Sequence, residues 1–138
     1  MAHKYKNNKG LTLIEILIAT GVIVFTSVVL LQLYLSCLNL SEMNSNSSSA
    51  TAHLTIMQEA IRCTPFSQIL VDFPNGDVDG PTGNNYATLV GGYVLPQEQI
   101  VVSYTDTAAD PLEIIVKISW QDKRGDILEK YLVTKRTW

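Results

Sequence analysis

The chain has 138 residues, of which 46% are hydrophobic and 17% are charged, and its net charge is −3. This length suits one domain with an anchor, and an acidic balance without a basic patch argues against a nucleic-acid-binding protein. The charge is uneven, because residues 1–10 contain three lysines and no acidic residue. We therefore expect residues 1–10 to form a short basic leader, with the excess of acids in the remainder.

A continuous apolar run follows the leader. No residue from Ile16 to Leu40 is charged, and as a helix this run would extend roughly 37 Å, more than the roughly 30 Å of hydrocarbon in a bilayer. We therefore predict a membrane-spanning helix over about 16–38. Since positive residues favour the cytoplasmic side, the leader is expected inside and the C-terminal part outside. Gly21 within the run either permits close helix approach or is simply tolerated.

One helix is predicted to cover residues 11–64. Beyond residue 40 apolar and small side chains recur every three or four residues, a seam typical of packing against a sheet or neighbouring helices. The members of this seam are Leu40, Met43, Ser47, Ala50, Leu54, Met57 and Ile61. Serine and asparagine are poor mid-helix residues, so local melting over 41–51 is an alternative to a continuous helix. Pro65 should end the helix, because the residue before a proline disfavours the α region.

Residues 65–138 are predicted to form a small head domain. Glycine, proline and asparagine cluster over 74–85, which indicates a loop. Strands are expected at 86–95, 99–105, 112–120 and 127–134, and the alternation of apolar and polar residues is clearest in the third. Their connections are too short for helical crossovers, and residues 122–125 form a turn, so the sheet is antiparallel. The predicted fold class is α+β: a long N-terminal helix, transmembrane in its first half, packed on a small antiparallel sheet.

The junction between leader and apolar run carries the most specific motif. The leader ends in Lys9-Gly10 and LTLIEILIAT begins at once, whereas an ordinary secretory signal places a small-residue cleavage site after its apolar stretch. This pattern resembles the type IV pilins and the pseudopilins of type II secretion, with Leu11 in place of the usual phenylalanine and without a mid-helix proline.

The resemblance implies a pilin-like fold and a defined maturation. A membrane prepilin peptidase would cleave after Gly10 and methylate the new N-terminus at Leu11, which makes Glu15 the fifth residue of the mature chain. It further implies a minor pilin or pseudopilin in the bacterial inner membrane, with a periplasmic head and a helix that packs with other pilins. Such a subunit is structural rather than enzymatic and has no direct contact with nucleic acid.

Glu15 is the one acidic residue near the start of the apolar run. An unpaired acid in hydrocarbon costs about 2.5 to 3.5 kcal/mol on insertion scales, so such a charge usually has a partner. Cleavage after Gly10 would create an α-amine that is largely protonated at neutral pH. In staggered helices the Glu15 carboxylate can meet the amine of a neighbouring subunit, which predicts an assembly role. The alternative is that Glu15 pairs with its own N-terminus or lies at the lipid headgroups.

A weaker signal lies in the loop before the predicted strands. Asn75, Asp77 and Asp79 have the spacing of the first half of a calcium-binding loop. A complete loop requires an acid at its twelfth position, where Tyr86 stands. A turn-rich acidic loop is therefore the favoured interpretation, with calcium as the alternative, and no other cofactor is expected.

No convergent set of catalytic residues is visible, and no enzymatic activity is predicted. His53 is expected on the helix surface, and Cys37 and Cys63 would lie about 39 Å apart on one helix, too far for a disulfide. Two other functions stay open. The first is a signal-anchored binding protein on the outer face that never polymerises. The second is a lipoprotein modified at Cys37, although residues 34–36 make a poor motif for that modification.

Overall fold

The computed structural model describes residues 12–81, 83 and 85–137. In chain order, the elements are α1 (Leu13–Cys63), α2 (Phe66–Asp72), α3 (Asn85–Val90), β1 (Gln99–Tyr104), β2 (Leu112–Gln121) and β3 (Ile127–Arg136). The strands form one antiparallel sheet in the order β1-β2-β3. The chain divides into two compact units, one up to Ser41 and one from Glu42 onward, and α1 contributes to both. The predicted α+β class, with a long apolar helix and a small antiparallel sheet, is confirmed.

The polar stretch over 41–51 is helical, so the alternative of local melting there is wrong. In the second unit, Lys130 Nζ donates to the carbonyl oxygen of Ser47 at 3.0 Å and to Thr51 Oγ1 at 2.9 Å. Lys123 pairs with Glu42 at 2.5 Å. Two lysines from the β2–β3 hairpin thus contact a helical stretch of poor intrinsic propensity, and such tertiary contacts commonly outweigh propensity.

The C-terminal end of α1 lies where Pro65 predicts it. Pro65 has φ of −57°, and the Thr64 hydroxyl donates to a carbonyl of the last turn at 3.0 Å. The last carbonyls would otherwise lack partners. Arg136 supplies them, because its Nη1 donates to the carbonyl oxygens of Ile61 at 3.2 Å and of Arg62 at 2.6 Å.

The core of the second unit is formed by one stripe of α1 and one face of the sheet. The α1 seam residues in this core are Ala50, Leu54, Met57 and Ile61. The alternating β2 residues in it are Leu112, Ile114, Val116, Ile118 and Trp120. Burying a valine, leucine, isoleucine or methionine side chain contributes about 1.5 to 3 kcal/mol. The same core includes residues of α2, α3 and β1, namely Ile69, Tyr86, Val90, Ile100, Val102 and Tyr104. The first three residues of the predicted seam are not part of this core, since Leu40 and Met43 are exposed and Ser47 is half-buried.

The prediction of a strand over 86–95 is wrong. Residues Asn85–Val90 form α3, and its buried residues, Tyr86 and Val90, are four residues apart and therefore on one helical face. Gly91 and Gly92 follow with φ of +85° and +104°, a conformation that ends the helix and excludes an extended strand. The spacing of the buried side chains in this segment is helical. The short helix α2 is likewise absent from the predicted elements.

The predicted turn between β2 and β3 is confirmed. Asp122 Oδ1 accepts hydrogen bonds from the backbone N–H groups of Arg124 at 2.7 Å and Asp126 at 3.1 Å. Gly125 has φ of +88°, which a side chain would make unfavourable. This turn sets the β2–β3 register, in which Trp120 pairs with Leu128.

Candidate functional site

The first part of α1 exposes apolar side chains around its whole circumference. Within residues 13–40 every large hydrophobic side chain is at least 41% exposed, and Leu13 reaches 81%. Soluble proteins rarely leave so large a contiguous apolar surface in water. This helix is long and apolar enough to cross a bilayer. The part of the chain that the structure describes thus contains one candidate transmembrane helix, near its N-terminal end.

Three hydroxyl groups in the first part of this apolar run are satisfied by the helix itself. Thr20, Thr26 and Ser27 each donate to backbone carbonyl oxygens three or four residues earlier, at 2.8 to 3.0 Å. An unpaired hydroxyl in hydrocarbon would cost free energy, and this local bonding removes most of that cost. These three residues are therefore compatible with a lipid environment without any partner chain.

Glu15 and Thr12 form a reciprocal cap at the start of α1. One carboxylate oxygen of Glu15 accepts from the backbone N–H and from the hydroxyl of Thr12, both at 3.2 Å. In return the Glu15 N–H donates to Thr12 Oγ1 at 3.4 Å. This arrangement is a capping box, which satisfies amide groups that have no partner within the helix. Glu15 therefore has a local partner, and the processing residues Gly10 and Leu11 lie outside the described residues.

The loop with calcium-like spacing is tied to β1. Asn75 Oδ1 accepts from the backbone N–H of the last β1 residue at 3.1 Å. Asp79 Oδ1 accepts from the second β1 residue at 3.1 Å and from the Tyr93 hydroxyl. Asp77 is exposed. Within the described ranges no three histidine, cysteine, aspartate or glutamate side chains form a group that could hold a metal. Two of the three candidate ligands thus have a structural role that competes with calcium.

His53 is buried, so the prediction of a surface position is wrong. Its Nδ1 lies 2.5 Å from Glu98 Oε1, and the side chain of Glu98 is completely shielded from solvent. The second carboxylate oxygen of Glu98 accepts from the backbone N–H groups of Val94 and Leu95, both at 3.0 Å. Both oxygens are therefore occupied by protein groups. We interpret the pair as a link between α1 and the loop before β1.

Three tyrosines form a second set of contacts in the head, and of these Tyr86 and Tyr104 are buried while Tyr93 is half-buried. The Tyr104 hydroxyl donates to the carbonyl oxygen of Phe73 at 2.6 Å, and burial raises the pKa of Tyr104 to about 12. Burial, followed by the hydrogen bond to Asp79, also raises the pKa of Tyr93. The Tyr86 ring stacks on Phe73 with centroids 5.9 Å apart. These phenols stay protonated near neutral pH and act as hydrogen-bond donors or packing groups.

The feature that points to a function is the N-terminal part of α1, where the exposed apolar surface begins beside the capped carboxylate of Glu15.

Two features of these sites were not predicted from the sequence. The T-x-x-E spacing of Thr12 and Glu15 is a known helix-start signal and could have revealed the cap. The pair of His53 and Glu98, 45 residues apart, leaves no local signal. No protein-family model, curated protein or solved structure matches this chain.

Proposed function

We propose that this chain is a minor pilin or pseudopilin, a structural and non-enzymatic subunit of a type IV pilus or of a type II secretion pseudopilus. The observation that carries the proposal is the sequence KGLTLIE (residues 9–15), whose last three residues begin a helix with outward-facing apolar side chains. A leader that ends before the apolar segment would leave that segment in the mature chain, where it can pack against other helices.

In the proposed maturation, prepilin peptidase removes residues 1–10 and methylates Leu11. The protein waits in the bacterial inner membrane with its N-terminus cytoplasmic and its head periplasmic, an orientation inferred from the three leader lysines. The helix then moves from lipid into a bundle of pilin helices. Lipid tails and apolar side chains solvate such a helix similarly, so directional polar contacts must supply the register.

Glu15 is the residue proposed to supply that register. Its cap donors in one chain are the neutral N–H and hydroxyl of Thr12, both at 3.2 Å. A protonated α-amine from a neighbouring subunit carries a full positive charge, and in a medium of low dielectric constant its Coulomb attraction to the carboxylate exceeds that of a neutral donor. The carboxylate therefore gains by exchanging its local donors for the amine when a neighbour arrives.

The alternative function is a signal-anchored periplasmic binding protein that does not polymerise. The contact between Thr12 and Glu15 favours this alternative on one point, because it satisfies the carboxylate without a second chain. It does not account for the position of Gly10 directly before the apolar run.

Leader removal separates the two functions. We expect the intact mass of the protein from its native membrane to lack residues 1–10 and to include one added methyl group. A Gly10→Val variant, in which a bulky residue precedes the cut, should keep the leader. A native chain that keeps its first ten residues would contradict the proposal.

The role of Glu15 requires a matched pair of variants. Glu15→Ala removes both the cap and the proposed intermolecular contact, whereas Thr12→Val removes the cap hydroxyl and keeps the carboxylate. We expect normal processing of both, with a loss of incorporation into filaments for Glu15→Ala alone. Equal incorporation defects would assign Glu15 to helix capping, and normal incorporation of Glu15→Ala would refute the assembly role.

A further inference from the structure

Three polar side chains share one face in the second half of the apolar run. Gln32, Ser36 and Asn39 are four and three residues apart, and at about 100° per residue they fall within about 60° of one another. All three are exposed on α1. We call this set the polar stripe. Cys37 lies about 140° from Gln32, on a different face.

The polar stripe differs from the other polar residues of this helix. The hydroxyl groups of Thr20, Thr26 and Ser27 bind backbone carbonyls of their own helix. The three side chains of the polar stripe have no hydrogen-bond partner among the residues that the structure describes. A carboxamide without a partner is costly in hydrocarbon, and Gln32 lies within the segment proposed to span the membrane. We therefore expect the polar stripe to form hydrogen bonds with another molecule.

We propose that α1 associates in parallel with α1 of a second copy of this chain along the polar stripe. A carboxamide is both donor and acceptor, so Gln32 and Asn39 are complementary to the same residues of another copy. Two copies anchored in one membrane with the same orientation place these residues at equal depth. Polar side chains that bond across helices are a common cause of association in membranes.

The residues around the polar stripe fit this geometry. Phe25 and Val29 precede Gln32 at the same alternation of three and four residues. This spacing suits left-handed packing of two helices at about +20°. Both flanking side chains are exposed, so they are free to extend the contact with apolar packing. The inference rests on the membrane span of the proposed function and is independent of leader cleavage.

Disulfide cross-linking of the full chain in membranes tests the proposal, and the chain contains its own control. In a Cys63→Ser background, one variant keeps the natural Cys37 and the other combines Ser36→Cys with Cys37→Ala. The two thiols are adjacent in sequence and similar in depth but point about 100° apart. We expect an oxidant that enters membranes to cross-link the Ser36→Cys variant into dimers more strongly. Equal cross-linking of the two variants would overturn the proposal.

A second comparison tests the carboxamide itself. Polar contacts between helices in model membrane peptides correspond to about a 5- to 30-fold change in association. Adding Gln32→Leu to the Ser36→Cys variant should reduce dimer formation by this factor, whereas Gln32→Asn should retain most of it. Unchanged cross-linking in the Gln32→Leu variant would refute the role of the polar stripe, as would cross-links formed only to a different protein.

Leader cleavage is measured on the same samples to separate this inference from the proposed function. Dimers in a host without the prepilin peptidase support the polar stripe even when residues 1–10 remain attached. A cleaved chain that gives no preferential dimer refutes the polar stripe and leaves the maturation proposal standing. A chain recovered in the soluble fraction refutes the membrane span and therefore the inference.

Discussion

Replacing Glu98 by alanine should destabilise the head by about 2 to 6 kcal/mol, because two buried groups would lose the oxygen that accepts their hydrogen bonds. The contacts support this magnitude. The Glu98 carboxylate accepts from His53 Nδ1 at 2.5 Å and from two backbone amides at 3.0 Å. Val94 is 67% exposed, so water can replace the acceptor for its amide, but Leu95 and His53 are 7% exposed each. Two buried groups left without a partner cost about 1 to 3 kcal/mol each.

Glu98→Gln is the matched control. Its oxygen can accept from the two amides, and its amide nitrogen can donate to His53 Nδ1 when the imidazole adopts the other tautomer. We expect this variant to lose about 1 kcal/mol, the typical net contribution of one hydrogen bond. Glu98→Ala removes both the hydrogen bonds and the negative charge, whereas Glu98→Gln removes only the charge.

The assay is denaturant unfolding of the full chain in detergent micelles, followed by tryptophan fluorescence. Trp120 is 4% exposed and lies on the buried face of β2, so its emission reports the opening of the core. A loss below about 1 kcal/mol for Glu98→Ala would refute the reasoning that a buried acceptor holds the loop to α1. Equal losses for alanine and glutamine would show that the charge, rather than the hydrogen bonds, is what stabilises the fold.

Three further predictions concern the same head. Met57→Ala should cost about 2 to 5 kcal/mol because Met57 is completely buried, whereas Met43→Ala, at a position 50% exposed, should change stability by less than about 0.5 kcal/mol in the same unfolding assay. Because burial raises the folded pKa of Tyr104 to about 12, its protonated phenol contributes to the free energy of unfolding below the ordinary tyrosine value near 10, and this contribution is lost as the pH rises from there through 12. The free energy of unfolding, measured over this pH range, should therefore fall less steeply in Tyr104→Phe than in the natural chain. Calcium should leave the melting temperature unchanged because Asp79 already accepts two protein hydrogen bonds, and a rise that Asp79→Asn removes would contradict this.

Residues 41–51 and 86–95 show why the local sequence pattern was insufficient to predict their secondary structure. The first stretch is rich in serine and asparagine, yet it is helical with Lys130 bound to Ser47, 83 residues away in sequence. The second contains β-branched residues, yet it packs Tyr86 and Val90 from one face of a helix. In both cases contacts with distant residues outweigh an intrinsic preference of a fraction of a kcal/mol per residue.

Four features could be predicted from local sequence signals: the apolar helix, its end at Pro65, the alternation of β2 and the turn before β3. These features depend on composition, on short periodicities and on backbone restrictions of proline and glycine, all of which act within a few residues. The burial of His53 against Glu98 and the hydrogen bonds from β1 to Asn75 and Asp79 became evident only in the folded chain. Those contacts join residues 21 to 45 positions apart, and a side chain's partners at such separations depend on how the elements pack.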